Sequence, residues 1–292
     1  MKRCCPNPEC HSDRVIKSGF YHRPSDGRNI QRFQCLSCSK KFSAATGTPA
    51  FGQNKRRVNN SLLKLLSSGV SQNRAAMLLN VNRKTVARKL PIIAKQCARK
   101  NAALLAARKP SSDIQFDELE TFEHTKCKPL SVALAVENDS RIILGFAVSS
   151  MPANGLLARI SRAKYGERRD DRRKGLLSLM SRIQARCNTK FHLLSDKCPR
   201  YQGIVKAAFQ KVSEIIVTYE QTKGARGCIG GQGELKKLVF DPLFSLNHTC
   251  AMLRANINRL FRRTWCSTKK AICLQYHLEI YTYFHNKFLI PS

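Results

Sequence analysis

IQFDELETFEHTKCKPLSVALAVENDSRIILGFAVSSM, residues 114–151, is the stretch whose reading decides the fold. Three apolar and β-branched runs, 114–122, 130–136 and 142–148, are separated by Lys/Pro and Asn/Asp turn signals. Such runs with short breaks predict three strands joined as antiparallel hairpin neighbours. Four acids, Asp117, Glu118, Glu120 and Glu123, fall within seven residues on the first strand, in a chain with 19 acids against 52 Lys+Arg. Side chains alternate across a strand, so Asp117 faces away from Glu118 and Glu120 and only one set can face a site. A solvated strand face is the ordinary reading of any one acid. A second aspartate of the same kind argues for more: Asp196 ends the apolar run FHLLSD, and an acid at a strand's end opens onto a crevice.

Downstream, residues 152–174 read as a loop-like insertion with eight Lys+Arg between Arg159 and Lys174, a solvated loop or a DNA-backbone contact. A helix is expected over 175–186, a strand over 191–195, a helix over 201–212 and a strand over 214–219. Strands first, then strand and helix in alternation, argue an α/β fold with a sheet of about five strands and flanking helices. The glycine-rich stretch QTKGARGCIGGQGE has no G-K-[ST], so no phosphate-cradling loop is expected. Its lysines and arginines make it a basic loop that can fold onto DNA. Asp241-Pro242 starts a helix, Asp as N-cap and Pro in the first turn. Leu243, Leu246, Cys250, Leu253, Ile257 and Leu260 form one apolar arc, with Asn247, Arg254 and Asn258 on a stripe beside it and His248 roughly opposite. The run 272–289 reads as an apolar, aromatic helix that docks on the core.

The composition narrows the partner. The 292 residues carry a net charge of +33. Residues 1–110 hold 23 Lys+Arg and three acids (Glu9, Asp13, Asp26), and the remainder holds 29 and 16. A polyanion is the natural partner, and nucleic acid fits best. A membrane fits poorly, since no apolar run approaches the roughly 20 residues of a span. The start, MKRCCPNPEC, lacks the apolar region of a secretory signal. Thirteen cysteines in no regular framework suggest a reducing cytoplasm and a metal site.

Cys5-x4-Cys10 and Cys35-x2-Cys38 supply that site. Zinc takes four tetrahedral soft ligands, and two turn-borne cysteine pairs deliver them to a segment too short for its own core. Cys4 could stand in for Cys5, and His11 or His22 for one cysteine. Residues 1–48 are thus expected to form a zinc ribbon. Residues 55–100 read as helical: Ser71 can cap SQNRAAMLLN, a turn follows at Val81-Asn82, and a basic helix begins at Arg83. That is the helix-turn-helix layout, with Arg83, Lys84, Arg88 and Lys89 as DNA-contacting residues. Residues 99–112, ending KPSSD, read as a helix tail and then a linker, and 112–292 is the third expected domain.

The sum resembles the bacterial insertion-sequence transposases of the family named after the first insertion sequence described, in its single-frame form. FDELETF, LLSDKCP and LRANINRLFRRT (residues 253–264) carry the resemblance, which spans nearly the whole chain. It implies a catalytic domain similar to ribonuclease H, over 112–292, whose two Asp and one Glu bind magnesium or manganese. It also implies binding to double-stranded element ends and target DNA, a homo-oligomer on DNA, and a place in the bacterial cytoplasm with the nucleoid. The first two acids fall on Asp117 and Asp196. The third falls seven positions before Arg254, on Asn247, so an asparagine stands where the family carries glutamate. An amide oxygen can still reach a hard cation, without charge. His248, Glu234 and Asp241 are the other candidates for the third ligand; a neutral imidazole suits magnesium poorly.

Overall fold

The computed structural model describes residues 3–24, 27–48, 51–210, 212, 214–222, 241–261 and 266–290. The chain divides into two compact units, Met1–Leu62 and Leu63–Ser292.

The first unit is built on a three-stranded antiparallel sheet of β1 (Val15–Arg23), β2 (Arg28–Cys35) and β3 (Lys41–Ser43). Its apolar content is small. Phe33 and Phe42, opposite each other on β2 and β3, bring their rings to 5.8 Å.

The second unit carries a mixed five-stranded sheet. Its strands are β4 (Ser111–Phe122), β5 (Pro129–Glu137), β6 (Ile143–Ser150), β7 (Cys187–Asp196) and β8 (Ile216–Thr222), in the order β6-β5-β4-β7-β8. The first three pair antiparallel as the turn signals require, and β7 and β8 add parallel to β4. Alternation splits the core between the two faces. Ile114 and Phe116 point to one layer with α5 (Arg172–Gln184) and α6 (Pro199–Phe209). Leu119, Val132 and Leu134 point to the other, with α7 (Phe244–Asn256) and α8 (Ala271–Phe284). Two expectations change in detail. The segment 152–174 contains a helix, α4 (Leu156–Tyr165), docked through the buried Ser161, whose hydroxyl donates to the Cys127 carbonyl at 2.7 Å. The helix expected through Leu260 ends at Asn256 and continues as a short 3₁₀ turn, although Ile257 and Leu260 stay buried. The glycine-rich stretch lies largely outside the described residues.

Upstream, α1 (Asn59–Leu66) precedes α2 (Gln72–Leu78) and α3 (Arg83–Ala106). The last two are joined by a short turn with a capped helix on each side. Ser71 Oγ accepts from the Arg74 N–H at 3.3 Å, and Asn82 Oδ1 accepts from the Lys84 N–H at 2.8 Å. Ala75, Ala76, Val86 and Leu90 are buried. The boundaries expected at 100 and 112 do not divide the structure: α3 runs past Lys100 and packs along α8 within the second unit. Asn286, following α8, seals the junction. Its amide nitrogen donates to Asn101 Oδ1 and to the Ile143 carbonyl, and its Oδ1 accepts from the Ile143 N–H, each at 2.9 Å. No helix among the described residues is long and apolar enough to cross a membrane.

His277 on α8 is buried within this packing, and burial, with the Arg259 charge, depresses it to about 3. Its folded-state value lies below the unfolded one, so the unfolded chain takes up the proton first. The stabilisation is complete above pH 6.5 and is lost as pH falls toward 3, by roughly 1.4 kcal/mol per pH unit. Urea unfolding at pH 7.5 and at pH 5 should therefore show a loss of about 2 kcal/mol that is absent in His277→Gln. An equal loss in both proteins would assign the acid sensitivity to other groups.

Candidate active site and metal centre

The four cysteines converge as their spacing predicts. Cys5, Cys10, Cys35 and Cys38 place their sulfurs within 4.8 Å of one another, with Cys5–Cys38 at 3.5 Å and Cys10–Cys35 at 3.7 Å. Four sulfurs about 2.3 Å from a tetrahedral zinc would lie about 3.8 Å apart, so the spacing fits such an ion. Cys4 is exposed and outside the cluster, as are His11 and His22. The second turn aims backbone N–H groups at its sulfurs. That of Cys38 lowers Cys35 to about 6, and that of Lys40 lowers Cys38, which favours two of the thiolates a metal needs. Burial pushes Cys5 up to about 12, and Cys10 is raised as well. The four residues could hold zinc. Among the described residues this is the one group of three or more His, Cys, Asp or Glu side chains drawn that close.

A second polar cluster sits where β4 passes the end of β7. These strands run parallel with Phe116 beside Ser195, so the next positions, Asp117 and Asp196, lie side by side. Leu119 and Leu194 pack into the α7 layer, which puts both aspartates on the face covered by α7. Burial and then the Asp196 charge push Asp117 up to about 6, and burial raises Asp196 as well. Asp117 Oδ1 accepts from the Tyr201 hydroxyl at 2.9 Å and from the Glu118 N–H at 2.6 Å. Asp196 Oδ1 is buried and makes no hydrogen bond. A shielded carboxylate oxygen without a donor, beside a second carboxylate, is a site that a hard divalent cation would satisfy.

Around the pair stands a shell that periodicity alone did not reveal. Glu118, on the opposite face of β4, accepts from Ser131 Oγ at 2.6 Å, from Arg200 Nη2 at 2.7 Å and from the Tyr201 hydroxyl at 3.4 Å. The Arg200 charge in turn acts to lower Asp196. Gln115 is 1% exposed and ties α7 to β4: its amide donates to the Pro242 carbonyl at 2.9 Å, and its Oε1 accepts from the Leu246 N–H at 3.0 Å. A polar residue inside an apolar strand, two positions before a candidate acid and on the same face, was the signal available for Gln115. Arg200 and Tyr201 gave none, because they follow β7 in what reads as an ordinary helix start.

The third position is less complete. Cys250 is the α7 residue close enough to Asp117 for that charge to add to burial in pushing its thiol up to about 12. Asn247 lies one turn earlier, exposed, and its amide donates to Asp241 Oδ2 at 2.8 Å. Asp241 also accepts from the Leu243 N–H at 3.0 Å, in the turn before the helix. It is not the N-cap expected from the sequence, because α7 begins two residues later than Pro242, at Phe244, with Leu243 as its cap residue. His248 faces Arg141, at 3.3 Å, and the Phe244 ring. Glu234 lies outside the described residues. On α3, Arg83, Lys84 and Arg88 are exposed. Lys89 departs from the expectation of a surface contact: it is 4% exposed, because it shares the inward stripe of α3 with Val86, Leu90 and Ile93. Compared with known proteins, the chain matches no family model and no curated protein.

Proposed function

We propose that this chain is a DNA transposase of the insertion-sequence type. It binds double-stranded element ends and target DNA as a homo-oligomer and cleaves and joins strands with divalent metal ions. The observation that carries this reading is Asp117 and Asp196 side by side on parallel strands, one of them with a buried oxygen that lacks a donor. The mixed sheet, three antiparallel strands followed by two parallel ones, is consistent with the ribonuclease H-like architecture that the sequence resemblance implies. In the same reading the four-cysteine cluster is a zinc ribbon, and α2 and α3 form a helix-turn-helix that presents Arg83, Lys84 and Arg88 to DNA. Lys89 then supports the motif from within.

Asp117 and Asp196 would hold magnesium or manganese. Such an ion, when bound, stabilises negative charge on the phosphate and its leaving oxygen and makes a water or 3′-hydroxyl more nucleophilic. The protein's own contribution is positioning. Tyr201 fixes one oxygen of Asp117, Gln115 holds α7 over the pair, and Glu118 orients Arg200 beside Asp196 as a counter-charge for a phosphate. One observation favours a second reading, a DNA-binding relative that does not cut: the third ligand position carries Asn247, engaged with Asp241.

Supercoiled plasmid incubated with the full chain and magnesium separates the readings. Metal-dependent nicking or linearisation with joined products is the result expected. Cleavage without joined products identifies a nuclease, and retardation of an intact plasmid identifies the non-cutting binder.

A further inference from the structure

Apart from the acidic site, the second unit contains a cavity of about 890 Å³. It lies among the loop before α2, the start of α3 and the 3₁₀ turn after α7, and Arg74, Arg83, Arg259 and Lys269 all line it. No Asp or Glu is among the described residues of its wall. Its volume falls within the roughly 300–1,000 Å³ usual for ligand pockets. Four cations gathered around one concavity without an acid repel one another, and an anion placed between them relieves that repulsion.

The wall is fixed rather than accidental. Arg259 donates through Nη1 to the Cys266 and Ser267 carbonyls at 3.3 and 3.2 Å, so its guanidinium is held in place. Burial lowers Arg259, and the Arg83 charge adds to the effect, in accord with their shared cavity. The loop before α2 is fastened to the end of α7 by the Gly69 N–H, which donates to the Asn256 carbonyl at 2.7 Å. Gly69 adopts φ +73°, and a Cβ there would meet the Ala255 carbonyl oxygen at 3.2 Å. Glycine suits both demands. Two stretches distant in sequence, the loop before α2 with Arg83 and the segment around Arg259 in 253–264, thereby build one basic cavity.

We propose that this cavity binds the phosphodiester backbone of DNA, gripping a strand between α3 and the segment after α7. The proposal rests on the DNA-binding reading above and deepens it. Arg83 would touch the same strand as Arg259, so the contact made by the helical hairpin and the contact made by the C-terminal motif fall on one backbone. Each phosphate neutralised releases counterions and adds about one to the salt dependence of binding.

Fluorescence anisotropy of a labelled duplex titrated with the full chain across a salt series tests this. Arg74→Glu and Lys269→Glu, both at exposed positions, should each weaken binding about tenfold and lower the salt slope by about one. Lys206→Glu, an exposed cation on α6 outside the cavity wall, should change neither to that extent. Cavity variants that bind no more weakly than Lys206→Glu overturn the proposal and leave the DNA reading standing. A wild-type chain that binds no duplex overturns both. Weakened cavity variants of a chain that never cuts plasmid uphold the cavity and remove the transposase reading.

Discussion

Asp117→Asn should abolish strand cleavage while DNA binding stays intact or tightens slightly, and Asp196→Asn should do the same. The substitution keeps the shape of the side chain and the acceptor for Tyr201, and removes the charge that would hold a cation and repel phosphate. A bound divalent ion supplies several kcal/mol of transition-state stabilisation, so the loss should be on the order of a thousandfold or more. Plasmid cleavage and duplex binding by the same preparations provide the measurement. Cleavage that survives both substitutions would remove this pair from the chemistry. The α7 variants then locate the third ligand. Asn247→Ala should fall well below His248→Ala, and Asn247→Glu should retain or raise activity, since it restores a carboxylate. The contact between His248 and Arg141 supports that order. The reverse order would move the ligand to His248, and full activity in both alanine variants would place it elsewhere.

Removing zinc should unfold the first unit. Residues 1–62 contain one small sheet with few buried apolar side chains, among them Phe33, Phe42 and Val58. A structural zinc contributes on the order of 10–16 kcal/mol of apparent binding free energy in small metallo-domains, far more than such a core supplies. Purified protein should carry about one zinc per chain. Chelation should expose this unit to protease while the second unit remains resistant. Unchanged protease resistance and circular dichroism after chelation would refute a structural metal here.

The elements that were legible in the sequence are those governed by local rules. The three strands from Ser111 to Ser150 follow from apolar runs and turn residues, and the cysteine knuckles from spacing. Ser71 was legible as a cap because a short polar side chain before a helix has few other uses, whereas Asp241 was not the cap expected of it, since α7 begins at Phe244 after Leu243. What stayed hidden depends on which element packs on which. Nothing local marks Lys89 as buried, and although a helix tail could be read from Arg99 onward, its docking along α8 could not. The amphipathic stretch inside 152–174 is short and strongly basic, so charge concealed α4. The shell of the acidic site was hidden for a related reason: Tyr201 and Arg200 reach β4 from a helix that begins only three residues after Asp196. Alternation correctly set Asp117 and Glu118 on opposite faces, yet one hydroxyl at the strand's margin touches both.

The unbroken course of α3 has a consequence for how the protein would measure DNA. Its first turns carry Arg83, Lys84 and Arg88, and its later turns are docked on α8. At 1.5 Å per residue its 24 residues span about 36 Å, close to one turn of the double helix. On the proposed DNA-binding and strand-cutting reading, a helix that carries the contact residues in its first turns and is built into the sheet-bearing unit behaves as a ruler. The interval between the base pairs read and the phosphate cut would then be set by the length of a helix, and would hold constant whatever sequence lies between them.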